Sequence, residues 1–471
     1  MEPALPKPRT VSIHTIGCRL NQAESAILTN RLKAIGYELV PFGQATDLLV
    51  LNTCSVTENA EADCRYAVRK TLRHSPHAFI AVTGCYAQTG MTALQAIPGI
   101  DLILGNQYKM ALPNFVADLP HDPKRTTPEI RHADRMDRDD FLIEGVGEYQ
   151  TTRANLKIQD GCNFMCSFCL IPFARGRERS RDCDDAIREA EGLVARGHQE
   201  LVLTGVNIGR FGRQERDLIN LIERLEAIHG LERIRISSIE PTTIPDELLD
   251  YMASSTKLCR YLHVPLQSGD DAILRAMNRR YSVKDYRQWV EHAICRVPGV
   301  CVGTDVMVGF PGEGELEFAN THAFLRDLPF AYFHVFSYSE RPGTAVCRLS
   351  NPVSSLVIKH RNATLTKLSR AKRLAFYQRI VGQTVSVLFE SKGSHGLWVG
   401  LTDHFIRVGV PTMADVQNTQ RTVLVTGIMG EVAVGQFSEP IDSSRRHNAL
   451  PLLVSRSSTS VEEPVLLDCH S

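Results

Sequence analysis

Cys162, Cys166 and Cys169 stand in the stretch Gly161-Cys162-Asn163-Phe164-Met165-Cys166-Ser167-Phe168-Cys169, a C-x3-C-x2-C spacing. Three thiolates on one short loop can hold three irons of a cubic iron–sulfur cluster. No fourth Cys or His lies within ten residues on either side, so the last iron would be open to a further ligand. A structural zinc site wants four protein ligands in a closed tetrahedron, and a disulfide wants an even count and an oxidising compartment. Both fit the loop less well than an open-sided cluster.

Three more cysteines follow strand-like runs: Thr15-Ile16-Gly17-Cys18, Asn52-Thr53-Cys54 and Thr83-Gly84-Cys85. Any one of them, taken singly, reads as a small buried side chain. At equivalent places after three strands of a parallel sheet they would converge on one edge, where ligands of such sheets bind. That points to a shared metal or cluster site, with Cys64 as a spare thiol. The glycines before Cys18 and Cys85 would allow close approach to a bulky ligand.

The elements that must hold these cysteines are read from periodicity. Short β-rich runs at 11–16, 48–52, 79–83 and 102–104 alternate with helical stretches such as 21–34 and 59–73, which predicts a flavodoxin-like α/β domain over 10–120. Residues 121–150 are polar and aperiodic and read as a linker. From 151 to 380, six β/α repeats begin at strands 155–158, 200–204, 234–238, 261–265, 301–308 and 332–337, which predicts a partial (β/α)6 barrel with an open side. Polar residues ending its strands, Gly205 and Asn207, Glu240, Gln267 and Glu313, would face one cavity, although each alone is equally a turn or cap residue. Arg175, Arg177, Arg179 and Arg181 alternate just after the cysteine loop, as a set of salt bridges or as a patch for an anionic partner such as polynucleotide phosphate. A helix rich in Lys and Arg, 356–381, leads to five short glycine-broken strands over 381–440, a small all-β barrel of a kind common in nucleic-acid binding. Residues 441–471 read as a disordered tail.

Composition sets the frame. The chain has 471 residues, 43% of them apolar, enough for several domains with real cores. Lys plus Arg equals Asp plus Glu at 53 each, so no global field favours nucleic acid and any RNA contact must be local. With no secretory pattern at the N-terminus and no apolar run long enough to span a bilayer, a cytoplasmic location is expected, and the 13 cysteines read as thiols and metal ligands rather than disulfides.

The order of these features resembles a known family. C-x3-C-x2-C with Phe168 before its last cysteine, after the first strand of a six-repeat β/α chain, is similar to the radical S-adenosylmethionine enzymes. The upstream Cys18, Cys54 and Cys85 and a β-domain that looks like TRAM narrow the resemblance to the methylthiotransferases, over nearly everything from Val11 to Phe437. The segment Gly17-Cys18-Arg19-Leu20-Asn21-Gln22 looks like the branch acting on N6-threonylcarbamoyladenosine at tRNA position 37. The segments 262–269, 277–281 and 304–313 also look like family sequence. The resemblance implies two [4Fe-4S] clusters, one on Cys162, Cys166 and Cys169 that binds S-adenosyl-L-methionine and generates a radical, the other on Cys18, Cys54 and Cys85 that delivers a methylthio group to C2 of the adenine. It further implies that Gly205, Asn207, Glu240, Gln267 and Glu313 contact S-adenosyl-L-methionine. No catalytic residue is expected beyond the cluster ligands, because the cofactors carry the hard chemistry. The implied partners are a tRNA anticodon stem-loop and an electron donor such as a flavodoxin or ferredoxin, with no membrane. The alternatives are the same chemistry on isopentenyladenosine or on a ribosomal-protein aspartate, and a non-catalytic iron–sulfur RNA-binding protein.

Overall fold

A computed structural model describes residues 9–55, 60–120, 124–133, 141, 145–214, 216–393 and 396–439. The expected tail at 441–471 and much of the expected linker lie outside the described residues. Strands β1 (Thr10–Thr15), β2 (Glu38–Leu39), β3 (Leu48–Thr53), β4 (Phe79–Gly84), β5 (Leu102–Leu104) and β6 (Glu129–Arg131) form one sheet in the order β2-β1-β3-β4-β5-β6, parallel throughout. β3 and β4, Leu-Leu-Val-Leu-Asn-Thr and Phe-Ile-Ala-Val-Thr-Gly, are buried at every position, as central strands of a sheet covered on both faces must be. β6 falls in the stretch read as linker. Its three residues carry no periodic signal, and only pairing with β5 makes them a strand.

Six further parallel strands follow: β7 (Arg153–Lys157), then, after the short antiparallel pair β8 (Gln159–Asp160) and β9 (Arg179–Ser180), β10 (Glu200–Thr204), β11 (Arg233–Ile236), β12 (Tyr261–His263), β13 (Cys301–Val308) and β14 (Tyr332–Ser337). β7, β10 and β11 pair in one group and β12, β13 and β14 in another, and a bridge from Ser238 to His263 joins them into an incomplete barrel. Alternate residues, among them Leu156, Leu203, Ile234, Leu262 and Val306, pack outward into one core with the surrounding helices. The opposite parity, Lys157, Glu200, Arg235, His263, Asp305 and His334, is polar and lines the inside.

The last five strands, β15 (Thr384–Lys392), β16 (Leu397–Leu401), β17 (Arg407–Pro411), β18 (Gln420–Met429) and β19 (Val432–Phe437), close into a small barrel. It covers the N-terminal ends of the larger barrel's strands. Arg233 donates to the Leu401 carbonyl at 2.7 Å, Arg235 donates to that of Thr402 at 3.0 Å, and the Phe405 ring lies 4.5 Å from Tyr261. The open mouth is therefore the one at the C-terminal strand ends. Among the described residues no helix is long and apolar enough to cross a membrane.

Candidate functional site

The loop carrying Cys162, Cys166 and Cys169 sits between β8 and the helix Ile171–Arg175. Each sulfur accepts a hydrogen bond: Cys162 from the Phe164 amide at 3.4 Å, Cys169 from the Ile171 amide at 3.4 Å, and Cys166 from the Arg279 guanidinium at 3.3 Å. The tight turn requires Gly161, whose φ is +70° and where a Cβ would lie 2.0 Å from the Arg177 carbonyl. Burial pushes the Cys162 thiol up to about 11 and the Cys169 thiol up to about 12. Asn278 donates to the Met165 carbonyl at 2.9 Å, Arg280 donates to that of Asn163 at 3.1 Å, and the Arg280 guanidinium rests 4.6 Å over the Phe164 ring. The segment 277–281, family-like in sequence, thus braces the cysteine loop, a role its residue types alone do not signal. Arg279 is 113 residues from Cys166, and no spacing signal reaches that far.

Cys18, Cys54 and Cys85 follow β1, β3 and β4. Gly17 and Gly84, with φ of +104° and +105°, bring these loops together for a reason other than room for a ligand. A Cβ on Gly17 would lie 2.7 Å from the Cys54 sulfur, and one on Gly84 would lie 2.3 Å from the Thr53 carbonyl. The glycines let the three loops approach one another. Cys85 accepts from Asn106 Nδ2 at 3.7 Å. Cys18 is exposed to solvent, yet burial among surrounding groups raises its thiol, against Arg175, which lowers it. Cys64 takes no part: it is fully buried in the core under helix α2 (Ala60–His74), and burial pushes its thiol up to about 12.

One short helix joins the triads. Ile171–Arg175 starts two residues after Cys169; the carbonyl of its Ala174 accepts from Asn106 Nδ2 at 2.7 Å, the same amide that reaches Cys85. Its last side chain, Arg175, donates to Asn21 at 2.7 Å and Glu24 at 2.9 Å on helix α1 (Arg19–Ala34), which opens directly after Cys18. Glu24 also holds Lys109 at 2.5 Å and Lys157 at 2.7 Å, and Asp160 holds Lys157 at 2.7 Å, Arg175 at 3.1 Å and Arg179 at 2.9 Å. Burial works to raise the Glu24 carboxyl, but Arg175, Lys109 and Lys157 hold it well below the usual carboxylate range. Four cations thus face two carboxylates, all buried except the half-buried Arg179. The surplus positive charge beside Cys18 and Cys85 fits an anionic thiolate-bound cluster there.

The arginine run is accordingly settled as ion pairs at three of its four positions. Arg175 and Arg179 bind Asp160, and Arg181 binds Asp185 at 2.6 Å and Glu189, leaving Arg177 exposed. An anion-binding patch built from all four does not form, because the neighbouring carboxylates occupy three of them.

The expected cofactor contacts divide. Gly205 leads into a turn whose next two amides, Val206 and Asn207, donate to Gln159 Oε1 at 2.8 and 2.9 Å. Asn207 Oδ1 accepts from the Glu240 amide at 3.2 Å, while its Nδ2 is buried without a partner among the described residues, a donor open to a ligand. Glu240 pairs with Arg279, the same guanidinium that meets Cys166; burial raises its carboxyl and Arg279 opposes the rise. Gln267, at φ +71°, is held by backbone bonds to Asp305 and Met307. Glu313 lies apart. Its carboxylate takes Arg361 at 2.7 Å and the Gly309 amide at 3.1 Å, which ties strand β13 to the helix Ser355–Gln378.

A profile described as the Radical SAM superfamily matches residues 156–325, and one described as Uncharacterized protein family UPF0004 matches residues 10–105. The chain is 35% identical over 411 residues to the threonylcarbamoyladenosine tRNA methylthiotransferase MtaB of Bacillus subtilis, covering 85% of this chain and 90% of that one. It is also 35% identical over 418 residues to the tRNA-2-methylthio-N(6)-dimethylallyladenosine synthase of Cereibacter sphaeroides, covering 86% and 93%. Among solved structures it is similar in fold to the radical S-adenosylmethionine methyltransferase TsrM of Kitasatospora setae, with a TM-score of 0.54 at 14% identity over 83% of this chain and 81% of that one.

Proposed function

Because the chain belongs to the radical S-adenosylmethionine methylthiotransferase family, we propose that it adds a methylthio group to C2 of N6-threonylcarbamoyladenosine at position 37 of tRNA. The observation that carries this reading is the meeting of two cysteine triads across the helix Ile171–Arg175, beside the incomplete barrel. A radical enzyme with a single task needs only the loop triad. Three facts bear on whether the residues fit the cofactors: every loop sulfur accepts a hydrogen bond, the upstream triad lies beside surplus buried cations, and Asn207 keeps a free buried donor. Cys162, Cys166 and Cys169 would hold one [4Fe-4S] cluster and Cys18, Cys54 and Cys85 the other; Gly205, Asn207, Glu240 and Gln267 are the candidates for S-adenosyl-L-methionine. When bound, these groups supply the radical and the methylthio unit.

The chain's own work is placement. Arg279 clamps the radical loop through Cys166 while Glu240 fixes the guanidinium, so the loop and the strand end after β11 move as one unit. Arg175 ties the same loop to α1, which fixes the distance between the triads. The small β-barrel covers the other end of the strands through Arg233, Arg235 and the Phe405–Tyr261 contact. The domain division 10–120, 151–380 and 381–440, a TRAM-like role for the last piece, an anticodon stem-loop as the bound form of tRNA, a flavodoxin or ferredoxin as reductant and a cytoplasmic location complete the proposal.

The dimethylallyladenosine relative, at equal identity, favours a second reading in which the substituent on the adenine is apolar. Nucleosides from tRNA of cells lacking the protein separate the two by mass spectrometry. Loss of the methylthio-threonylcarbamoyl nucleoside is expected; its persistence alongside loss of the dimethylallyl form overturns the first reading.

A further inference from the structure

Identity does not separate the two tRNA substrates, and the inner wall of the barrel carries polar groups that bear on the choice. Arg19 opens helix α1 immediately after Cys18, is partly exposed, and makes no hydrogen bond or ion pair among the described residues. Its electrostatic neighbours are Arg153, Tyr261, Arg235 and Glu200, all on inward-facing positions of the barrel strands. Those neighbours have carboxylate partners of their own: Arg235 holds Glu200 at 2.7 Å, and Arg153 holds Glu390 at 2.5 Å through Nε, with its Nη1 buried and without a partner among the described residues. From Tyr261 the wall continues as a chain of polar contacts, to the Tyr332 hydroxyl at 2.7 Å, from there to His263 Nδ1 at 3.3 Å, and from His263 Nε2 to Asp305 at 2.9 Å. His334 completes it, with a ligating atom of each of His263, Asp305 and His334 within 4.8 Å of the others. Both nitrogens of His263 are engaged, which holds the Asp305 carboxylate in place. Among the described residues that carboxylate has no other side-chain hydrogen bond.

We propose that Arg19, Asp305 and His334 form the specificity surface for the N6 substituent of the substrate adenine, and that they select a substituent carrying a carboxylate and amide N–H groups. This rests on the methylthiotransferase reading above. A threonylcarbamoyl group offers both features: its carboxylate matches the fork of an unpaired guanidinium, and its ureido N–H groups match a carboxylate acceptor. A dimethylallyl group offers neither and would leave Arg19 desolvated without a partner and Asp305 with its free acceptor capacity unmet, which is how a polar site rejects an apolar analogue. The position next to Cys18 places this selection beside the triad proposed to deliver the methylthio group.

The test uses the full chain, reconstituted anaerobically, with anticodon stem-loop RNAs carrying threonylcarbamoyladenosine, dimethylallyladenosine or unmodified adenosine. Binding is read by fluorescence anisotropy without S-adenosyl-L-methionine or reductant, and KM and kcat for methylthiolation are read separately. Wild type should prefer the threonylcarbamoyl RNA. Arg19→Gln should erase the preference with a loss of about 100-fold in affinity for that RNA, leaving the unmodified RNA bound as before, and Arg19→Lys should restore part of it. Asp305→Asn and His334→Gln should each weaken the preference. His334 is remote in sequence from every triad cysteine, so it carries the test if Arg19→Gln loses iron. A wild type that methylthiolates the threonylcarbamoyl RNA while Arg19→Gln and His334→Gln keep its full preference overturns this inference alone. The same holds if the variants lose only affinity for S-adenosyl-L-methionine, whose own carboxylate is the other candidate partner of Arg19. A wild type that acts on the dimethylallyl RNA overturns both the inference and the substrate reading.

Discussion

The two cysteine triads are built in opposite ways. Cys162, Cys166 and Cys169 lie within eight residues of one another, on a loop whose own amides serve two of its sulfurs. Cys18, Cys54 and Cys85 come from three loops at one edge of a parallel sheet, and the buried charges beside them come from both large domains. The first triad is local and needs little beyond its turn and the Arg279 clamp. The second exists only when the sheet is formed and docked. The upstream site should therefore be the more sensitive to anything that loosens the interface.

The largest separation between them should be functional. Cys166→Ala is expected to abolish 5′-deoxyadenosine formation and methylthiolation together, whereas Cys18→Ala keeps the first and loses only the second. Iron content should fall from about eight to about four per chain in each. If Cys18→Ala also stops 5′-deoxyadenosine formation, the two triads do not have separate tasks.

Next comes the interface. Glu24→Ala leaves Lys109 buried without a counter-charge and Lys157 and Arg175 with Asp160 alone, and should cost about 3–5 kcal/mol in urea unfolding, with iron lost first from the upstream site. Arg177→Ala, on the exposed member of the same arginine run, should change stability by less than about 0.5 kcal/mol. Equal effects would mean the buried network does not hold the domains together.

Gly17→Ala and Gly161→Ala probe the two turns at smaller scale. Each forces a side chain into a left-handed backbone, at about 1–2 kcal/mol, and meets the Cys54 side chain in one case and the Arg177 carbonyl in the other. The expected iron loss is confined to the triad next to the substituted glycine.

The smallest effect is with pH. The folded-state carboxyls of Glu24 and Asp160 are held below their unfolded values, against burial, by the cations around them. Their contribution is therefore complete above the unfolded carboxylate range of about 4, and is lost as pH falls through the folded values below it. Urea unfolding should show little change between pH 7 and pH 5 and a drop by pH 3 that is smaller in Glu24→Gln. An equal drop in both would assign the acid sensitivity elsewhere.

Legibility followed the same division. The strands Glu200–Thr204, Cys301–Val308 and Tyr332–Ser337 stand where periodicity predicts them, because each alternates over enough residues to show its period. The short β6 does not, since three residues cannot display a period and its pairing partner supplies the order. Glu313 reads as a cavity residue because it ends a strand segment, but Arg361, 48 residues on, takes its buried carboxylate into an ion pair.

The amino-acid sequence by itself determined the element types, the cysteine spacing of the radical loop and the placing of three more cysteines after three strands. These depend on local dihedral preference and on side-chain period, both written within a few residues. Only the tertiary structure decided that Arg175 binds Glu24 rather than an anionic partner, that Arg279 meets Cys166, and that Arg19 stands beside inward-facing barrel residues without a hydrogen-bond or ion-pair partner among the described residues. Coulomb and hydrogen-bond partners are chosen by distance in space, and in each of these pairs the partners are more than 100 residues apart along the chain.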